Sequence, residues 1–414
     1  MTAGKRVLLV FGTRPEAIKM CPLVRAIAAH PGLTPLVAVT GQHRGMLDQM
    51  LTLFDVHPDA DLDLHQPGQT LSGIAARVLH DLPSVLDRLD PDLVVVQGDT
   101  TTTVAAAMAA AYHQLPVVHL EAGLRSGDRT APFPEEINRR MVTQLAGLHL
   151  AATAANKAAL LAEAVPAGDI AVTGNTVIDA LLTVTARPRP FADPILRRHL
   201  TPEVLDGHPL VVVTAHRRES WGAPLTAIAR AIAEVAGELP HARFVWPLHA
   251  NPHVRDRVQP VLRDRANILL TDPLGYPDFT TLLAHAHTVV TDSGGVQEEA
   301  PALGVPVLVT RHVTEREEVI HLGAGRLVGP SQAAIQTALL RLLTDPAAHR
   351  SMQIGYSPYG DGTAARRAAA AIAAFTGAGH RLPDYTPPAR PATLGATPSR
   401  TQPVNHALAG ITTR

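Results

Sequence analysis

Short apolar runs punctuate this chain, and each stops abruptly at a polar turn. Leu93-Val94-Val95-Val96 leads into QGDTTTT, and Val117-Val118-His119-Leu120 leads into EAGLRSG. Runs without polar alternation read as strands buried on both faces, the habit of a parallel sheet with helices on either side. A first series at 6–11, 34–39, 93–97, 116–120 and 148–152 alternates with helices that open near Pro15, Arg44, Leu71, Thr102 and Pro134. A second series at 210–214, 243–247, 268–270, 288–291 and 306–309 predicts another unit of the same α/β kind. A chain of 414 residues is too long for one core. The expected layout is an N-terminal domain over 1–182, a Pro- and Arg-rich hinge over 183–209 and a second domain over 210–358. From Leu382 onward Pro, Thr, Ala and Gly dominate without periodicity, which predicts a disordered tail over 382–414.

Charge and composition narrow the function. Thirty-six basic residues against 37 acidic ones leave a formal net charge of -1, which argues against nucleic acid or an anionic membrane as the main partner. The single Cys21 excludes an internal disulfide and fits a reducing cytoplasm. The apolar stretch after Lys5 and Arg6 ends too early for a signal-peptide core, and no segment approaches the roughly 18 to 20 apolar residues of a membrane span. A soluble, cytoplasmic protein is expected.

In a parallel sheet the residues just past the strands' carboxyl ends line the ligand crevice. Asp99, Glu121 and Glu135 all stand at such places. Gathering three carboxylates costs Coulomb energy, so a chain that does so is expected to use them as proton donors or acceptors. Taken singly, Asp99 reads as a helix N-cap, and Glu135 with Glu136 as compensation of a helix dipole. Arg14 and Lys19, in GTRPEAIKM, would hold a polyanion or neutralise part of the cluster. In the second half, His216, Arg217 and Arg218 follow one strand and His249 another. The most specific signal there is TDSGGVQEEAPALGVPVLV. Its Gly-Gly turn opens a helix whose N–H groups suit a diphosphate, and a carboxylate one turn on suits the two hydroxyls of a ribose. Neither GxGxxG after a strand nor a Walker-type loop occurs, and zinc-ligand spacing is absent.

The motifs GTRPEAIKM, TGQHRGMLDQM, GDTTTT, HLEAGLRSGD, PFPEEINRR, TGNTVIDAL, HRRES, DSGGVQEEAPALGVPVL, TER and PYGDG stand in that order. In them the chain closely resembles the non-hydrolysing UDP-N-acetylglucosamine 2-epimerases, over about residues 7–375. The resemblance implies two Rossmann-like domains of GT-B type facing across a cleft, with a last helix within 359–381 crossing back to the first domain. It implies a cytoplasmic homodimer that interconverts UDP-GlcNAc and UDP-ManNAc without NAD or metal. Carried over residue by residue, UDP-sugar binding falls on Arg14, Lys19, His216, Phe279, Ser293, Gly294, Gly295, Glu299 and Arg316. Catalysis falls on Asp99, Glu121 and Glu135, with His216 stabilising the leaving diphosphate. A second, activating UDP-GlcNAc would use Gln42, Glu136, Arg217 and His249. Two departures from the family pattern are Leu274, where a Gln is common, and Glu317, where a Pro is common. Three rival readings stay open: a GT-B glycosyltransferase, a hydrolysing epimerase that releases N-acetylmannosamine and UDP, and a noncatalytic nucleotide-sugar sensor.

Overall fold

The computed structural model describes residues 4–41, 44–66, 68–187, 189–217 and 220–388. Its apolar runs form two parallel sheets. The first contains β1 (Lys5–Phe11), β2 (Leu33–Val39), β3 (Ala60–Asp61), β4 (Leu93–Gln97), β5 (Val117–Ala122), β6 (Leu148–Ala151) and β7 (Ile170–Val172), in the order β3-β2-β1-β4-β5-β6-β7. The second contains β8 (Leu210–Thr214), β9 (Arg243–Pro247), β10 (Ile268–Thr271), β11 (Thr288–Thr291), β12 (Val307–Val309) and β13 (Gly325–Leu327), in the order β10-β9-β8-β11-β12-β13. The three strands that the apolar runs do not announce, β3, β7 and β13, are all edge strands of two or three residues. An edge strand that short needs no long apolar run.

Successive residues of β1 face opposite ways, as the strand period requires. Val7, Leu9 and Phe11 join the core beneath the helices Arg14–Ala28 and Ala364–Phe375, while Leu8 and Val10 join the one beneath Leu71–Leu89 and Thr101–Tyr112. In β8, Val211 and Val213 pack with the helix Ala223–Glu238, and Leu210 and Val212 with the helix Tyr276–His285. Each sheet is therefore covered on both faces, giving two Rossmann-like domains. Strand order reverses between β1 and β4 and between β8 and β11, which opens a crevice at the carboxyl ends there. No helix among the described residues is long and apolar enough to cross a membrane.

Two sequence expectations need correction. The hinge over 183–209 is shorter than composition suggests, because Phe191, Leu196 and Leu200 are buried in the second core and Asp278 accepts the N–H groups of Ala192 and Asp193. Their apolar spacing is hidden among Pro and Arg. The tail also starts later than Leu382. Tyr385 is buried, donates its N–H to Val172 and its hydroxyl to Ser357, while Asp384 pairs with Lys157 and accepts the Val172 N–H. One aromatic anchor overrides a low-complexity composition. Residues 389–414 lie outside the described residues.

The helix Ala364–Phe375 packs on the helices Arg14–Ala28 and Thr176–Thr185 and on β6, back in the first domain. Asp179 ties it down by accepting the N–H groups of Ala364 and Ala365.

Candidate active site

At the end of β1, Thr13 caps the helix Arg14–Ala28, and Glu16 returns the bond to Thr13 in a capping box. Glu16 is buried and accepts from the N–H groups of Gly12 and Thr13 and the Thr100 hydroxyl, so one carboxylate stitches the β1 turn to the β4 turn. The next helix, Thr101–Tyr112, is capped by Thr100, whose side chain accepts the Thr103 N–H. Asp99 is thereby free of the capping role it has when read singly. Its carboxylate meets Arg139 Nη2 at 2.5 Å and its carbonyl accepts from Asn138 at 2.8 Å, both on the helix Glu135–Leu145 that Glu135 opens. One oxygen of Glu135 is buried without a partner.

Glu121 is the hub of this half. The register of β5 slips between Leu120 and Ala122, and Glu121 takes a left-handed φ of 64°. Its carboxylate, 8% exposed, receives Lys19 Nζ at 2.5 and 2.6 Å, Gln97 Nε2 at 2.5 Å and Asn175 Nδ2 at 2.7 Å. Burial pushes its pKa up, but Lys19 and Arg316 outweigh that and hold it below the usual carboxylate range. Under the same turn, buried His119 donates to the Gly98 carbonyl at 2.7 Å, burial having pushed its pKa down to about 3.

In the second domain, buried Asp292 accepts the N–H groups of His216 and Arg217 and the Ser220 hydroxyl, fixing the loop after β8. The His216 ring stacks on His249 at 5.8 Å and keeps 43% of its side chain open to the cleft. Ser293 gives the helix Gly294–Ala302 no side-chain cap, so its first N–H groups remain available to an anion. Arg316 lies across that helix start: a Cβ on Gly294 would sit 2.7 Å from its guanidinium carbon. Glu298 at 2.9 Å and Glu315 at 2.5 Å clamp Arg316 there, and Arg311 and Arg217 also approach Glu315. Burial opposes ionisation of Glu315, yet these three arginines hold it far below the usual carboxylate range. Glu299 is different. Burial pushes its pKa up to about 7, and Tyr276 donates to it at 2.8 Å.

The two halves meet across the cleft. Arg14 donates to the Leu274 carbonyl at 3.0 Å, and its charge is felt by Glu299. Leu274 itself is buried in the second core, so its backbone rather than its side chain serves this contact. Asn175 bridges Glu121 and Glu298, and Thr153 donates to Glu318. Exposed Glu317 follows an Arg316 already fixed by two carboxylates, so a Pro is not needed to hold it.

Of the expected residues, Lys19 touches Glu121 directly, and Asp99 joins Glu135 through a shared helix. Arg316 lies on Gly294 and His216 on His249, while Phe279 packs partly buried at the margin of the second core. Glu136 is committed elsewhere: fully buried, it accepts from the Ser126 N–H, Arg139 and Arg140. Gln42 lies outside the described residues. Residues that the motif reading did not single out for the site are Glu16, Gln97, Asn175, Tyr276 and Glu315. Thr13-Arg14-Pro15-Glu16 spells a capping box and Asn175 precedes a helix, but nothing local reveals that Asn175 also spans two domains.

Residues 25–373 match the family described as UDP-N-acetylglucosamine 2-epimerase. The UDP-N-acetylglucosamine 2-epimerase of Yersinia pestis is 49% identical over 365 residues, which is 87% of this chain and 96% of that protein. A solved structure from Listeria monocytogenes is similar with a TM-score of 0.87 at 42% identity, covering 93% of this chain and 100% of the other. The UDP-GlcNAc 2-epimerase from Neisseria meningitidis, solved with UDP-GlcNAc bound, gives a TM-score of 0.83 at 42% identity over 90% of this chain and 99% of that one.

Proposed function

We propose, for a chain that belongs to the UDP-N-acetylglucosamine 2-epimerase family, a reversible inversion at C2 that converts UDP-GlcNAc to UDP-ManNAc without releasing free sugar. The observation that carries this reading is the pairing across one cleft of a lysine-bound carboxylate at the end of β5 with an arginine-clamped helix start at the end of β11.

The chemistry asks for both halves. The hydrogen on C2 is barely acidic, since no neighbouring carbonyl stabilises a carbanion. Departure of UDP builds positive charge at the anomeric carbon, acidifies that C–H and leaves a glycal. Arg14, Arg316, His216 and the N–H groups at Ser293 to Gly295 would take up the charge of the leaving diphosphate. Glu121, held ionised by Lys19 and Arg316, is suited to accept or return a proton, and Asp99 and Glu135 supply carboxylates for the other face of the ring. UDP must stay bound until it is added back, so the cleft has to close over it. No NAD or metal enters these steps.

We take the protein to act in the cytoplasm as a homodimer. Ile137 and Met141, exposed one turn apart on the Glu135 helix, and Phe133 just before it favour a second copy over water on that face.

Incubation with UDP-GlcNAc in heavy water, followed by NMR, tests the reaction. Deuterium at C2 together with UDP-ManNAc is the expected result, and Asp99→Asn, Glu121→Gln and Glu135→Gln should each slow its appearance by roughly a hundredfold or more. Accumulation of free N-acetylmannosamine with UDP would instead establish the hydrolytic reaction. Transfer of the sugar to an added acceptor would mark a glycosyltransferase, and binding without hydrogen exchange would mark a sensor.

A further inference from the structure

Asn175 follows the last strand of the first sheet and opens the helix Thr176–Thr185. Its Oδ1 accepts the Val177 N–H at 3.1 Å, while its backbone N–H goes to the Tyr359 carbonyl at 2.6 Å. The cap decides which way the amide faces: with the oxygen used on the helix, Nδ2 can meet only acceptors. It meets two carboxylates, Glu121 Oε1 at 2.7 Å and Glu298 Oε2 at 2.6 Å. Glu121 is the last residue but one of β5, in the first domain. Glu298 lies in the helix Gly294–Ala302 of the second, and its other oxygen holds Arg316 Nε at 2.9 Å. A residue at this buried point that failed to donate twice would leave a buried carboxylate short of a partner.

We propose that Asn175 is a positioning residue for the epimerisation, holding Glu121 ionised and correctly aimed by donating to it and to Glu298 at once. The domain that grips the nucleotide through Arg316 is thereby keyed to the domain that moves the proton. This inference rests on the reading of Glu121 as an acid/base group.

The groups that face Glu121 are Lys19 from the Arg14 helix, Gln97 from β4, Arg316 and Glu298 from the second domain, and neutral His119 on its own strand. Asn175 donates to the charged form of Glu121, so removing that bond raises the Glu121 pKa. If activity needs ionised Glu121, the acidic limb of the kcat profile then moves to higher pH.

Asn175→Asp and Asn175→Ser separate capping from bridging. Asp and Ser are both good N-caps, so the helix start survives. Neither serves two carboxylates: an ionised Asp donates nothing and Ser has one proton. The expected outcome is a kcat lower by about tenfold in Asn175→Ser, the scale of one lost hydrogen bond, and by about a hundredfold in Asn175→Asp, where a third carboxylate is added. The KM for UDP-GlcNAc and the Kd for UDP should stay within about threefold of the parent, and the acidic limb should rise by about half a pH unit to one unit. A purely capping residue would leave kcat and the pH profile unchanged in both variants, which overturns the proposal. Should Asn175→Asp fail to fold, judged by circular dichroism, Asn175→Ser decides alone. Glu121→Gln is run beside them. If it turns over normally, the reading of Glu121 fails and the Asn175 role with it; if it is slow while both Asn175 variants are normal, only the Asn175 role fails.

Discussion

Glu121 carries a backbone conformation that L-residues seldom adopt, φ 64°, at the slip in the β5 register. Such a residue costs of order 1–3 kcal/mol and persists where its surroundings over-determine it. Here Lys19, Gln97 and Asn175 do so. Glu299 shows the opposite electrostatic regime, a carboxyl that burial keeps partly protonated near neutrality, with its pKa at about 7. On the proposed reading, it would offer ribose hydroxyls a neutral acceptor below that value and a charged, stronger one above it. UDP affinity should therefore rise by about fivefold more in the parent than in Glu299→Gln between pH 6 and pH 8, the difference between a charge-assisted and a neutral hydrogen bond. Calorimetric titration of both proteins at each pH checks this, since UDP's own ionisation is common to the two. Its residue type at a strand exit drew attention to Glu121 in the sequence, and positions in the first turns of helices after strand exits drew attention to Lys19 and Glu299. Their partners were not legible, because Gln97, Asn175 and Tyr276 are ordinary residues until folding brings them together.

The helix Gly294–Ala302 concentrates what an element adds. Its start lies under Arg316, and Glu298 and Glu315 prevent that guanidinium from swinging aside. Gly294→Ala would place a methyl group 2.7 Å from the guanidinium carbon, so either the helix start or the clamp must shift. Overpacking of this kind costs about 1–3 kcal/mol. A UDP affinity weaker by about tenfold or more is expected, with urea unfolding displaced by no more than that cost; unchanged affinity would show that Arg316 and the helix start do not share a ligand. The DSGG motif was readable because glycines beside a helix start restrict the chemistry to close approach. Edge strands β3, β7 and β13 were not, since two or three residues carry no period. Capping, the reading Asp99 has when taken singly, gives way to Thr100 for a related reason. Asp99 and Thr100 are both capable N-caps, and only the helix geometry chooses Thr100.

Across the whole molecule, the apolar cluster under β1 also contains Tyr276, Val319, Ile354 and Tyr359, so the two domains share part of one core. Thermal unfolding should then follow a single transition in calorimetry rather than two. UDP at about a hundred times its Kd should stabilise the protein by about 2.7 kcal/mol if it binds only the folded form. Two resolved transitions, with only one moved by UDP, would show that the shared core does not couple the domains. The two-domain layout was legible from chain length and the two series of runs. The shared core was not, because sequence gives no sign of which buried faces touch. The chain passes between the domains twice, and the second passage lies along the helix that precedes the first: Tyr359 accepts the Asn175 N–H, Gly360 lies against Asn175 and Ile178, and Gly362 against Leu182. Two tethers laid side by side make a spine. Covers bound to a spine stay paired, and the bond from Asn175 to Glu298 joins the two domains right beside it.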